Sequence, residues 1–270
     1  MVSAWARNNG VVLAQEKVAG KSNEIKAIPK LLKILEIAGC IVTIDAMGCQ
    51  KKIAKKILKQ KADYVLALKK NHKTLYKNVE SFFEECSKNS FENVSYESHT
   101  ETEKGHGRTE TRQYYITNDL TQIETKEEWA GLKSIGMTIS EREIKGVVTT
   151  QVRYHLCSIE PNALKYADAV RGHWAIENSA ELVEKSTNFQ FVRFFYQVQR
   201  LHWILDVVFH EDSQRNRKDN SPENMAIIRH TALNLMKNDP SVNLSMRQMK
   251  KKLEWDHDYA MSLIFGDILP

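Results

Sequence analysis

The sequence predicts an α/β fold: a mixed sheet with flanking helices, then an antiparallel β-rich stretch and a helical C-terminal part. Three observations predict it. The runs at 40–44 and 64–68 are continuously apolar rather than alternating, as strands buried on both faces are. Segments with helical spacing stand before and between them. Residues 92–157 then switch to period-two segments joined in pairs by glycine turns, and from Ala163 onward the pattern is helical.

Taken in order, residues 2–6 and 11–18 are short apolar or alternating stretches around Arg7-Asn8-Asn9-Gly10, and an Asn-Gly turn between such stretches predicts a hairpin. Ser22 or Asn23 can cap a helix from Glu24, with Ile25, Ile28, Leu31, Leu32, Ile34 and Leu35 at helical spacing and Gly39 beyond its end. The buried run at 40–44 follows. A second helix over 50–60 turns Ile53, Ile57 and Leu58 inward and its lysines outward, and the strand at 64–68 comes next. Strand–helix–strand alternation with short links predicts parallel members in the sheet. After a helix at about 73–87, alternating segments at 95–103, 108–117, 135–143 and 147–158 predict two hairpins, turning at Lys104–Gly107 and Lys145-Gly146. A polar break at 211–220 precedes a helix at about 222–237. The expected division is 1–91 for the first part of the core, 92–160 for a β-rich insert, and 161–270 for the helical second part.

The chain has 270 residues, 42% hydrophobic and 27% charged, ordinary values for a globular domain or two. It has no apolar run of membrane-spanning length and no signal-peptide pattern at its N-terminus, so a cytoplasmic protein with no membrane partner is expected. Four dispersed cysteines without a CxxC read as reduced thiols. Charge is unevenly placed. Between Lys51 and Lys77 ten lysines face one acid, Asp63, so this segment carries +9 of a chain whose formal total is +5 and the remainder carries −4. A concentrated basic segment fits a polyanion, nucleic acid first, or a solvated lysine-rich helix face.

Asp45 follows the first buried strand, where α/β sheets collect functional groups; a carboxylate there can be a metal ligand, a general base or a helix cap. Glu177, in His173-Trp174-Ala175-Ile176-Glu177-Asn178, lies one helical turn from His173. Two hard carboxylates converging on one cleft would bind Mg²⁺ or Mn²⁺. His106 and Arg108, in Gly105-His106-Gly107-Arg108, sit where glycines permit close backbone approach to a phosphate, or form an ordinary hairpin tip. The region 206–217 is densely charged and reads as a solvated loop with local ion pairs, metal ligation being the other possibility. Trp174, Trp203 and Trp255 read as core residues rather than base-stacking platforms.

Seven ordered motifs carry a resemblance that covers nearly the whole chain. They are Lys21-Ser22-Asn23-Glu24-Ile25, Ile44-Asp45-Ala46-Met47-Gly48-Cys49-Gln50, Asp63-Tyr64-Val65-Leu66-Ala67-Leu68-Lys69 and His106-Gly107-Arg108-Thr109-Glu110-Thr111-Arg112. His173–Ser179, Leu201-His202-Trp203-Ile204-Leu205-Asp206 and Asn220-Ser221-Pro222-Glu223-Asn224 complete the series. The chain resembles the bacterial insertion-sequence transposases that include the H-repeat-associated proteins, a branch of the DDE superfamily. The resemblance implies an RNase H-like core and two divalent metals, Mg²⁺ or Mn²⁺, held by an Asp, Asp, Glu triad. Water attacks a transposon-end phosphodiester, and the freed 3′-hydroxyl attacks target DNA. Asp45 matches the second Asp and Glu177 the Glu, as catalytic and metal-binding residues. Lys51, Lys52, Lys55, Lys69, Lys70, His106, Arg108, Arg112 and His173 are the expected DNA-phosphate contacts. Double-stranded DNA at transposon ends and target, a homo-oligomer or mixed oligomer with full-length transposase, and a nucleoid-associated location follow.

Two departures shape the expectation. In relatives an earlier strand bears the first catalytic Asp, whereas here no Asp precedes Asp45 and the opening residues match the strand after it. An incomplete RNase H-like core is therefore expected, with an exposed sheet edge and a truncated, catalytically defective copy of the enzyme. The alternatives are a non-catalytic DNA-binding or transposase-interacting protein, and a nuclease in which another acid, Asp206 first, replaces the missing one. The second departure is an atypical insertion at 180–200, rich in phenylalanine. Continued as helix, it would rotate the downstream faces by about 60°; otherwise it would be extruded as a loop.

Overall fold

The computed structural model describes residues 2–6, 11–16, 24–105, 107–174, 191–196, 208–210, 213, 215, 216 and 218–266. The expected α/β class holds. Strands β1 (Val2–Ala6) and β2 (Val11–Glu16) form the antiparallel hairpin that the Asn-Gly turn predicts. Helix α1 (Glu24–Ile34), strand β3 (Ile41–Ile44), helix α2 (Lys51–Lys59), strand β4 (Asp63–Leu68) and helix α3 (Lys73–Lys88) follow. Strands β5 (Tyr96–Gly105), β6 (Arg108–Thr117), β7 (Ser134–Ile144) and β8 (Val147–Cys157) are the two predicted hairpins, and helix α4 (Ala163–Trp174) comes after them. Strand β9 (Phe191–Tyr196) and helices α5 (Ser221–Lys237), α6 (Met246–Trp255) and α7 (His257–Phe265) complete the described elements.

The described strands make one sheet of nine, in the order β2-β1-β9-β3-β4-β8-β7-β6-β5. β3 is parallel to both β4 and β9, and the other pairs are antiparallel. The β-rich segment is thus continuous with the sheet, because β8 pairs with β4 from Val65↔Cys157 to Leu68↔Tyr154.

β9 corrects the expectations drawn from the insertion and from the exposed edge. Phe191–Tyr196 lies inside the sheet, antiparallel to β1 and parallel to β3, so neither strand has a free side there. The physical reason is strand composition. Phe-Val-Arg-Phe-Phe-Tyr is aromatic and β-branched, and an interior slot satisfies the backbone groups that an open edge would leave unpaired. The rest of 180–200 lies outside the described residues.

Two apolar layers explain the unbroken apolar runs. On one face Val42, Ile44, Tyr64, Leu66 and Leu68 pack with Leu31 and Leu32 of α1, Ile53 and Ile57 of α2, and Val79 and Phe83 of α3. On the other, Ile41 and Val65 pack with Tyr166, Ala167 and Val170 of α4. β3 is buried along its whole length for this reason. Gly136 of β7 lets α4 approach: a Cβ there would stand 2.4 Å from Cζ of Tyr166. The outer edge of β2 is covered by α5, where the Asn234 amide donates to the Val12 carbonyl (3.0 Å) and accepts from its N–H (3.1 Å). That pairing imitates a neighbouring strand and blunts an edge. Helix α6 begins at a capping box between Ser245 and Gln248.

All four cysteines are buried and none is in a disulfide. Trp255 departs from its expected core position: it is 85% exposed at the end of α6, where the polar face of this lysine-rich helix meets solvent. Among the described tryptophan side chains the buried one is Trp129, 2% exposed. Of Trp174 the backbone alone is described, and Trp203 lies outside the described residues.

Candidate functional site

β3 and β4 run in parallel with Ile44 level with Leu66, so both loops leave the same end of the sheet. Asp45 is the first residue beyond β3, half-buried. The chain turns back at once: the Gly48 N–H donates to the Asp45 carbonyl (3.1 Å) and to its Oδ1 (3.3 Å). Glycine is required at 48 because a Cβ would stand 2.2 Å from Ile44 Cγ2 and 2.8 Å from Ile28 Cδ1. The turn therefore sits directly on α1 and presents Asp45 at the strand end. Burial pushes the Cys49 thiol up, and the Asp45 carboxylate adds to the shift, so Cys49 stays protonated beside it.

The loop after β4 meets this turn. Asn71 Nδ2 lies 2.8 Å from the Ala46 carbonyl oxygen and His72 Nε2 lies 2.7 Å from that of Cys49. The His72 ring stands edge-on to Trp129, with centroids 5.3 Å apart.

Exposed lysines follow both strands, on α2 and just past β4. Lys51, Lys52 and Lys55 are exposed on the outer face of α2, and Lys69 and Lys70 are exposed just past β4. Lys51 pairs with Glu128, and the Lys70 ammonium lies 5.9 Å from the Tyr76 ring centroid. Lys56 instead turns inward and donates to the Pro29 carbonyl, which ties α2 to α1; burial and Lys33 lower its pKa.

The remaining expected contacts are elsewhere. Arg108 and Arg112 lie on the α4-side face of the β5–β8 ladder within a carboxylate network. Arg108 pairs with Glu110 (3.2 Å), and Arg112 pairs with Glu103 (3.0 Å) and also with Glu110. Arg171 of α4, which sequence reasoning passed over, joins this network through Glu101 (2.5 Å) and Glu103. No spacing rule could have found it, because its partners lie some seventy residues away. His173 is placed by its backbone in α4, while His106, Glu177 and Asp206 lie outside the described residues.

Among the described residues no group of three His, Cys, Asp or Glu side chains could hold a metal ion. Asp45 offers a carboxylate at this end of the sheet, which suits one ligand position of a divalent cation; Glu177, the other expected ligand, lies outside the described residues.

The family model for the transposase DDE domain matches residues 1–190. This chain belongs to that family. Among curated proteins, the chain is 38% identical over 268 residues to "Putative transposase YncI" of Escherichia coli O157:H7, covering 98% of this chain and 63% of that protein. It is 36% identical over 271 residues to "H repeat-associated putative transposase YhhI" of Escherichia coli K12, covering 98% and 65%. "Putative protein YbfL" of the same strain is matched at 36% over 271 residues. The chain thus spans 63–65% of the length of these relatives. The expected kinship with H-repeat-associated proteins is borne out, and the mixed α/β architecture agrees with an RNase H-like transposase fold. Among the described residues no helix is long and apolar enough to cross a membrane.

Proposed function

We propose that this DDE-family chain binds double-stranded DNA, transposon ends and target alike, at the carboxyl ends of β3 and β4, and that its 270 residues alone do not cut it. The observation that carries the reading is a half-buried carboxylate, Asp45, set at the strand end, with exposed lysines following both strands. Lys52, Lys55, Lys69 and Lys70 supply phosphate contacts there, and Lys51 joins them when phosphate competes with Glu128. His106 and His173 extend the contact surface, and Arg108 and Arg112 contribute where DNA draws them from their carboxylates. Asp45 and Glu177 would hold Mg²⁺ or Mn²⁺, which in a complete site of this family would supply water activation and leaving-oxygen stabilisation for phosphodiester chemistry.

The cleavage defect is supported by the sheet. β3 has two neighbours: β4 follows its apolar core with lysines, and β9 carries no carboxylate in Phe191–Tyr196. Among the described residues Asp45 therefore has no acidic partner from an adjacent strand end, and two cations would be under-neutralised. A homo-oligomer, or a mixed oligomer with full-length transposase, would place this DNA-binding surface in a larger assembly.

Fluorescence anisotropy of a labelled duplex, titrated with salt, tests the binding. The expected plot of log K against log[salt] is steep, falling by about 0.9 per phosphate contact. Affinity indifferent to salt would overturn it.

A further inference from the structure

α5 covers the outer edge of β2, three strands from β3, and α6 and α7 follow it. One face of α6 is fixed inward. Met249 is buried, the Lys252 ammonium lies 4.3 Å from the Tyr259 ring centroid of α7, and the Tyr259 hydroxyl donates to the Asp239 carboxylate (2.5 Å) just past α5. The opposite face is thereby fixed outward, with Arg247, Gln248, Lys251, Glu254 and Trp255 all exposed. Gln248 is engaged in the capping box, Glu254 pairs with Lys250 (3.0 Å) and Lys252 with Asp256 (3.8 Å). These ion pairs of α6, those among the described residues, use neither Arg247 nor Lys251. Arg247, Lys251 and Trp255 stand at i, i+4 and i+8, in one stripe with about 6 Å between successive positions.

Two properties of this stripe point to one partner. α6 carries four cations and one acid, so a chain that is net acidic outside 51–77 concentrates positive charge a second time here. Trp255, 85% exposed, leaves a large apolar ring in water at the end of that charge. Charge complementarity selects a polyanion, and the indole selects one whose flat rings are free. In a duplex the base faces are stacked on one another, whereas in a single strand each can lie on an aromatic ring. We propose that the outer face of α6 is a second DNA surface, for single-stranded DNA: Arg247 and Lys251 take backbone phosphates and Trp255 stacks on an unpaired base. This rests on the DNA reading given above and adds to it a second surface and a second form of DNA.

The test is fluorescence anisotropy of labelled oligothymidine and, separately, of a labelled blunt duplex, each titrated with the whole 270-residue chain. Arg247→Ala and Lys251→Ala should each lower the oligothymidine salt slope by about 0.7. Trp255→Ala should weaken oligothymidine binding about 5–100-fold at fixed salt and leave the slope unchanged, because the ring stacks but carries no charge. Trp255→Phe should keep most of the affinity, and duplex binding should not respond to Trp255→Ala. All three positions are exposed, so the thermal midpoints of the variants should match that of the unaltered chain. Unchanged oligothymidine binding in the α6 variants, with Lys52→Ala still lowering the duplex slope, overturns the α6 surface and leaves the DNA reading intact. Salt-dependent binding of neither DNA overturns both. A change in sedimentation on Trp255→Ala, at unaltered oligothymidine affinity, gives the face to a second copy of the chain and overturns the proposal.

Discussion

Phe194 of β9 lies level with Ile44 of β3 in parallel register, on the side of β3 opposite Leu66 of β4. The same residue is paired with Ala4 of β1. One short strand therefore joins the N-terminal hairpin to the strand that ends at Asp45, and the sheet depends on it.

Val192 is the described side chain of that strand, 4% exposed and packed in the main core. Val192→Asp would bury an unpaired charge, at a cost on the order of 3–5 kcal/mol. Thermal unfolding should show the loss as a large drop in midpoint. Near-unchanged stability would mean that residues 191–196 do not form an interior strand.

Gly48→Ala places a Cβ against Ile44 and Ile28. Overpacking of this kind costs about 1–3 kcal/mol. Denaturant unfolding should register that loss, and an unchanged midpoint would mean that the Asp45 turn does not sit against Ile44 and Ile28.

Beneath α4, the Tyr166 hydroxyl bridges His155 Nδ1 (2.7 Å) and Thr138 Oγ1 (2.9 Å), all buried. Burial, with a smaller contribution from the Arg153 charge, pushes the His155 pKa down from its ordinary 6.5 to about 3. The folded chain then binds fewer protons than the unfolded chain between those values. The stability from keeping His155 neutral is present above pH 6.5 and is lost as pH falls through 6.5 toward 3. His155→Gln should flatten that acid-side slope in a pH series of unfolding curves. An unchanged slope would remove His155 as its source.

Removing the bridge itself is a separate test. Tyr166→Phe leaves two buried polar partners unsatisfied and should cost about 1–3 kcal/mol. Urea unfolding at pH 8 measures this away from the histidine titration.

For DNA, Lys52→Ala and Lys55→Ala should each reduce the salt slope by about 0.9. Lys56→Ala should leave the slope almost unchanged, because Lys56 is turned inward to Pro29. Equal effects from all three would mean that the outer face of α2 is not the contact surface.

Much of this was legible in the sequence, for definite reasons. β3 and β4 are read correctly because two covered faces leave no polar period, and the β5–β8 hairpins because glycine turns bracket alternating segments. β9 was missed although Phe191–Tyr196 has strand composition, because its partners β1 and β3 lie about 150 residues away or more and a strand is confirmed only by pairing. Asp45 was singled out by its place at a strand end, and the structure puts it there, half-buried. Asn71 and His72 were not singled out, because their targets are backbone carbonyls that spacing does not reveal. Arg108 and Arg112 read as free cations in sequence, yet Glu103 pairs with Glu110 across the ladder and brings both carboxylates to Arg112. Trp255 looked apolar and internal, and its helix turned it outward.

The central claim is that these residues bind DNA without cutting it. The most direct measurement incubates supercoiled plasmid with the chain and with its Asp45→Ala variant in Mg²⁺ and in Mn²⁺, scoring bound complex and nicked circle in parallel. The account predicts retarded complexes from both proteins and nicked product from neither. Nicking by the unaltered chain that disappears in Asp45→Ala would contradict it.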